Sequence, residues 1–281
     1  MVIVLKYKKK RGFYMKGILS LFSAILISGL VLHDEAKAGE KEIIQLTNEE
    51  ISEFKKFGFY EEQLLEGLSV DLYEELNRAE VEAYEKVIYK ITESDNGYIE
   101  YDMIDEKTYE DSLLENQFGV MNASEDSGWI VLELTVANLG GGERRVTNSF
   151  EFQGDSPFST YRDAVGISHD FNSQNRPSGT SFWYQTNIEG SGNYVFPENT
   201  NEGIGIAFDL FDHVPIQNHR GSLSVVVVDS GGANRATAYG HFIHSNTPTW
   251  FDNISIGVGS FSVSALANQS DAIAPSVSWE W

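Results

Sequence analysis

From Trp129 to the C-terminus, apolar and polar residues alternate along the chain. Ile204, Ile206, Phe208 and Leu210 share one parity, and Gly203, Gly205, Ala207 and Asp209 share the other, which is the period-two pattern of a strand. The same reading gives strands at Trp129–Ala137, Arg145–Phe152, Ala164–His169, Ser181–Thr186, Ser222–Val228, Arg235–His244, Ile254–Val258, Phe261–Ala265 and Val277–Trp281. Gly140-Gly141-Gly142 and Ser230-Gly231-Gly232 supply turns between them. So many strands with no long helix predict an antiparallel sandwich or barrel. Parity changes around Gly257 and Gly259, which predicts a bulge or tight turn there. Val277, Trp279 and Trp281 share a face, so the chain end should be pinned into the core.

Before Trp129 the period changes. Thr47-Asn48-Glu49-Glu50 is a capping box, with Ile51, Phe54 and Phe57 following at helical spacing and Gly58 as the stop. A second short helix is predicted over Tyr60–Glu66, and Ser69 caps a third that carries Leu72, Leu76 and Ala79 on one stripe. A fourth begins near Thr108. Val87–Thr92 and Tyr98–Met103 read as a hairpin about Ser94-Asp95-Asn96-Gly97. That turn is no EF-hand loop, because Thr92 and Met103 fall where the first and last carboxylates belong. Helices this short are marginal alone and must pack on something.

A third pattern opens the chain. Lys6, Lys8, Lys9, Lys10, Arg11 and Lys16 precede an apolar run from Gly17 to Leu32, and Ala36-Lys37-Ala38 follows. This order is that of a secretory signal peptide cleaved near Ala38-Gly39. The run is shorter than the roughly 20 apolar residues of a spanning helix, so a permanent membrane anchor is not expected. The predicted organisation is therefore a signal peptide at 1–38, an acidic α-rich module with a hairpin at 39–120, a linker at 121–128, and a β-sandwich domain at 129–281. The overall class is α+β. With no cysteine in the chain, no disulfide staples the product, which suits a Gram-positive secretome.

Charge sharpens this division. The leader holds 7 of the 20 basic and 2 of the 42 acidic residues, leaving 13 against 40, a formal −27. Residues 39–128 carry a net −18 and residues 129–281 a net −9, the latter with arginine as their only basic side chain. Such a surface disfavours nucleic acid and anionic lipid as partners.

The acidic opening then carries a resemblance. Leu46-Thr47-Asn48-Glu49-Glu50-Ile51, Phe54-Lys55-Lys56-Phe57-Gly58-Phe59 and Glu61-Glu62-Gln63 resemble the start of Bacillus-type exported proteins of unknown function. Asp163-Ala164-Val165-Gly166-Ile167-Ser168-His169 is similar to their β-rich second half. The resemblance implies export and brings no catalytic residues with it.

Candidate chemistry is sparse. Asp163 and His169 share a strand face but stand about 20 Å apart on a straight strand. His241 and His244 have the spacing of helical zinc ligands, yet on a strand they point to opposite faces. Asp212, His213 and His219 sit in a stretch that reads as a loop and are the candidate metal ligands. No cofactor is predicted, and a divalent cation is left open for those three. Gly166-Ile167-Ser168-His169-Asp170 lacks the closing glycine of a nucleophile elbow. Trp250, Trp183 and Tyr184 are the candidate ligand-binding aromatics, with Trp250 expected to be exposed.

The leading expectation is a secreted, non-enzymatic binding or interaction protein whose partner is a cell-envelope polymer or a surface protein. A secreted hydrolase or metal-dependent enzyme is the second reading. A β-pore-forming protein is the third, motivated by Ile254–Ala265, although the parity break leaves fewer than the 9–11 residues a spanning strand needs.

Overall fold

The computed structural model describes residues 42–93, 99–117, 127–153, 162–170, 172–176, 180–185, 194–209, 219–231, 234–244, 253–264 and 275–281. The leader, Asp212, His213 and Trp250 lie outside these residues, as does the side chain of Tyr184. Glu42–Trp281 forms one compact unit, and among its described residues no helix is long and apolar enough to cross a membrane.

Two antiparallel sheets face each other. The strands are β1 (Ile43–Ile44), β2 (Leu68–Ser69), β3 (Glu80–Glu93), β4 (Ile99–Ile104), β5 (Ser127–Gly140), β6 (Glu143–Gln153), β7 (Arg162–His169), β8 (Ser173–Asn175), β9 (Ser181–Gln185), β10 (Tyr194–Thr200), β11 (Gly203–Asp209), β12 (Arg220–Asp229), β13 (Arg235–His244), β14 (Asn253–Gly257), β15 (Ser260–Ser264) and β16 (Ser276–Glu280). The first sheet runs β4-β3-β5-β6-β12, with β8 and β9 sharing the far edge of β12. The second runs β10-β11-β7-β13-β16. Alternation places Ile130, Leu132, Leu134 and Val136 of β5 in one buried core with Phe150 of β6, Val225 of β12, Val165 and Ile167 of β7 and Phe242 of β13. This is the expected sandwich.

Four strands escaped the periodicity. The two-residue β1 and β2 and the three-residue β8 are too short to show one, and β10 carries Pro197 beside a register shift between Val195 and Glu198. Proline is tolerated there because β10 lies at a sheet edge and the shift removes a ladder position. The chain end is pinned as expected: β16 pairs with β13, and Val277 and Trp279 are buried.

The change in composition at 121–128 is not a break in the sheet. β3, from the acidic half, pairs with β5 from Glu80↔Asn138 to Thr92↔Ser127. It is longer than the predicted hairpin arm because it continues past β4 along a second partner. The hairpin therefore joins the first sheet rather than a separate module.

The four helices are α1 (Asn48–Phe54), α2 (Glu61–Leu65), α3 (Val70–Asn77) and α4 (Glu106–Gln117). The capping box is present in full: the Glu50 backbone N–H donates to Thr47 Oγ1, and the Thr47 N–H donates to Glu50 Oε2 at 2.8 Å. Ser69 caps α3. α4 starts two residues before the expected Thr108, because the Asp105 carboxylate accepts from the Thr108 N–H at 2.8 Å. With β1 and β2, helices α1 to α3 form a cap on the outer face of the first sheet. Ile51, Phe54, Phe57, Phe59, Leu64, Leu68 and Leu76 close around Ala137 of β5. α4 covers a different part of the same face, where Tyr109 packs on Ile88 and Val131.

The second sheet has its own cover. β14 and β15 form a hairpin that pairs with no other strand among the described residues, and it packs on β11 and β7. In register, Ile254 pairs with Val263, Ser255 with Ser262 and Ile256 with Phe261. The parity break marks the turn at Val258-Gly259. Each strand runs 5 residues, about half the length a membrane-spanning strand needs.

Candidate functional site

The histidines and aspartates singled out in the sequence come first. Asp163 does not meet His169. Both point into the core from β7, and each meets a residue supplied by the first sheet or its end. His219 Nε2 lies 2.8 Å from Asp163 Oδ2, and both side chains are buried. The His219 ring stacks on Phe152 at 4.9 Å and tilts against Phe150 at 5.4 Å. The reading of His219 as an exposed loop histidine is therefore corrected, since it directly precedes β12 and points between the sheets. It serves the fold, and its imidazole is engaged by Asp163.

At the other end of β7, His169 Nε2 is 2.9 Å from Asn175 Oδ1 and its Nδ1 is 3.0 Å from Ser173 Oγ. Asn175 Nδ2 donates to the carbonyls of Thr200 and Gly203 at 2.7 and 2.9 Å, which leaves its oxygen to accept from His169. Midway, Asn148 of β6 donates to the carbonyls of Gly166 and His241 at 2.9 and 3.1 Å. Gly240 makes this approach possible: a Cβ there would stand 2.6 Å from Asn148 Oδ1. These contacts are polar staples across the sandwich. They pair buried groups between the two sheets.

His241 is buried on the opposite face of β13, with its Nε2 2.7 Å from Ser168 Oγ. Burial lowers its pKa to about 4, so the ring is neutral at ordinary pH. Among the described residues no group of three or more acidic, histidine or cysteine side chains could hold a metal ion.

The concave site lies elsewhere, on the outer face of the first sheet. Along β5 this face reads Val131, Glu133, Thr135, Ala137: α4 covers the first, the cap covers the last, and Glu133 lies between. A cleft of about 310 Å3 opens there, lined by Lys55, Gly58, Phe59, Tyr60, Glu61, Glu62, Glu133, Ser149, Glu151 and Arg220. The cap supplies one wall and β5, β6 and β12 the other. The cap wall approaches closely because Gly58, at φ +85°, holds a place where a Cβ would stand 2.9 Å from Thr147 Cγ2.

Tyr60 is the hinge of the site. Its hydroxyl donates to the Phe150 carbonyl at 2.9 Å. Burial and the carboxylates of Glu151 and Glu133 push its phenol well above the ordinary range. Trp183 of β9 stacks on the Tyr60 ring at 5.8 Å and 30°, and its indole Nε1 donates to Glu66 of the cap at 3.1 Å. The Arg220 guanidinium lies 5.4 Å over the same Tyr60 ring and pairs with Glu62 at 2.6 Å and Glu151 at 3.6 Å. Lys55 pairs with Glu61 at 3.0 Å. Both cations of the cleft thus have carboxylate partners, and four carboxylates against two cations leave its walls negative. No histidine lines it.

Of the sequence candidates, Trp183 is held against Tyr60 of the cleft without being one of its lining residues, and Tyr184 is its neighbour on β9. Tyr60, Arg220, Glu62 and Glu151 went unnoticed. Glu151 sits in the outward-facing polar parity of β6 and Arg220 opens β12, but only strand order brings them together with Tyr60 and Glu62 of the cap.

No protein-family model matches the chain, and no curated protein sequence matches it. Similar solved structures include the pilus backbone of Streptococcus pneumoniae, at TM-score 0.31 and 6% identity over 50% of this chain. This chain spans 41% of that protein's length. The collagen-binding domain of a Staphylococcus aureus adhesin is similar at TM-score 0.29 and 4% identity, covering 48% of this chain and 87% of that one. The collagen-binding domain of an Erysipelothrix rhusiopathiae surface protein follows at TM-score 0.28 and 5% identity, covering 56% and 66%. At these scores the similarities identify neither a family nor a ligand.

Proposed function

We propose that this chain is an exported, non-enzymatic binding protein acting at or outside the cell surface, and that the cleft at Tyr60 takes a neutral, hydroxyl-rich polymer of the cell envelope. The observation that carries this reading is the Tyr60–Trp183 stack beside paired carboxylates and a guanidinium. Fixed aromatic faces take the apolar face of a sugar ring, while planar carboxylate and guanidinium groups take its hydroxyls. Negative walls with both cations already paired disfavour a polyanion. The basic, apolar and small-residue leader supports export.

Titration of the mature chain with a soluble neutral glucan and with a polyuronate tests the proposal. Binding of the glucan alone is expected, and Trp183→Ala should weaken it at least about tenfold. Failure to bind any neutral polysaccharide or envelope fraction would overturn it, as would unchanged affinity in Trp183→Ala.

A further inference from the structure

The cleft exists only while the cap is seated. Lys55 and Gly58–Glu62 come from the cap, and Glu133, Ser149, Glu151 and Arg220 come from the strands beneath. We propose that the cap is a lid on this cleft, latched by Glu75 between Arg145 and Arg176, so that ligand binding and cap closure form one equilibrium. The regulation rests on the cleft being the ligand site.

Three features of the cap interface carry the inference. First, among the described residues no backbone ladder crosses it. There β1 and β2 pair only with each other, and the cap continues into β3 through Arg78-Ala79. Lifting the cap therefore leaves every strand pair of the sandwich intact.

Second, the face beneath the cap suits water. Thr135, Thr147, Ser149, Ser222, Ser224 and Arg145 are all buried there, yet each carries a group that water can satisfy if the cap leaves. The inner face of the same sheet, built from Leu132, Leu134, Phe150 and Val225, has no such freedom.

Third, the latch is ionic and buried. Glu75 on α3 bonds through one carboxylate oxygen to Arg145 of β6 and through the other to Arg176 after β8. Arg145 also donates to Ser224 at 2.7 Å, and Arg176 is held by both oxygens of Glu143 at 3.1 Å. Arg78 lies 4.0 Å from Glu143 on the outer side. A buried ion pair adds little over a packed apolar pair, but it makes closure depend on charge.

Burial works to raise the Glu75 carboxyl, but the guanidinium of Arg145 and then that of Arg176 more than offset it and hold the group below its ordinary value. A depressed carboxylate contributes to closure in full above the ordinary value of 4.5 and loses that contribution as pH falls through the lowered one. Glu143 faces the same latch through Arg176 and Arg78, and the remaining carboxylates at this interface, Glu61, Glu62 and Glu66, are solvent-facing partners of Lys55, Arg220 and Trp183. Glu50 bonds to Thr47 and Tyr73 within the cap and does not face the sheet.

Amide hydrogen exchange of the mature full chain, read separately over 47–77 and over the core strands, tests the lid. In the unaltered protein the cap should open more readily as pH falls below about 4.5, while β5, β6 and β12 stay protected. Glu75→Gln should open the cap about tenfold more readily at pH 7 and lose most of the acid response. The apparent Kd for the glucan should rise wherever the closed fraction falls. Glu75→Leu with Arg145→Met, which replaces the latch by apolar contact, should keep the cap closed and insensitive to acid. Cap and core exchanging as one unit, or an unchanged cap in Glu75→Gln, would sink the lid. Cap opening as expected in a protein that binds no glucan would support the lid and defeat the ligand reading alone.

Discussion

The first sheet has two faces, and the inner face and the part of the outer face beneath the cap are both dry and differently built. Its inner face is filled by Leu132, Leu134, Val146, Phe150 and Val225, and a few polar staples cross from it to β7 and β13. Its outer face meets the cap through hydroxyls, Ala137 and two arginine-bound carboxylate oxygens of Glu75. Burial alone does not distinguish them. The residue types do: the inner face cannot be solvated without losing its apolar transfer energy, whereas the outer one exchanges protein partners for water. The sandwich is thus obligatory and the cap conditional. The cap's apolar side chains close largely on one another, and Ala137 of β5 joins their cluster from the sheet.

The comparison can be broken most forcefully from the sandwich side. Deleting Val277–Trp281 removes β16, two buried side chains and the ring over which Arg144 lies at 5.3 Å. Thermal unfolding should show a loss of about 5 kcal/mol or more, a Tm fall of roughly 10–20 °C, with cap and sandwich failing together. Unchanged melting would mean the chain end is not part of the core.

Phe150→Ala should follow, at about 3–5 kcal/mol in urea denaturation. The Tyr60 hydroxyl keeps its acceptor in this variant, because it bonds to the backbone carbonyl of residue 150. Asn148→Ala leaves the Gly166 and His241 carbonyls without their staple, and about 1–3 kcal/mol of stability should go with them. Equal stability of Asn148→Ala and the native protein would show that the staples are dispensable.

The smallest effect sharpens the contrast. Thr47→Ala removes the N-cap of α1 and should cost the cap about 1 kcal/mol. Proteolysis or exchange within 47–77 should register it, while the protection of β5 and β12 stays as it was. If the core strands lost protection to the same degree, the two faces would be energetically one.

Local elements were readable because their causes are local. The capping box at Thr47–Glu50, the stop at Gly58, the turn at Val258-Gly259 and the apolar parity of Val277 and Trp279 all rest on near neighbours. β8 and β10 were not, since a three-residue strand has no measurable period and Pro197 argues against one. The compositional break near 121–128 was real in charge but not in architecture, because backbone pairing between β3 and β5 is indifferent to side-chain sign. His219 looked like a loop residue for the same reason. Nothing within a few positions of it announces Asp163, which lies 56 residues away.

By itself, then, the sequence determined the period of each segment, the acidity of residues 39–281 and the caps that start and stop its helices. Those features follow from backbone geometry and from side chains three or four residues apart. Only the tertiary structure decided which polar residues became staples and which became a site. Strand order set Glu133 of β5, Ser149 and Glu151 of β6 and Arg220 of β12 side by side, and docking of the cap brought Tyr60 onto them. Trp183 came to lie against Tyr60 because β9 pairs with β12, with Trp183 opposite Ser222. Such meetings depend on long-range pairing, and alternation in one strand carries no record of its neighbour.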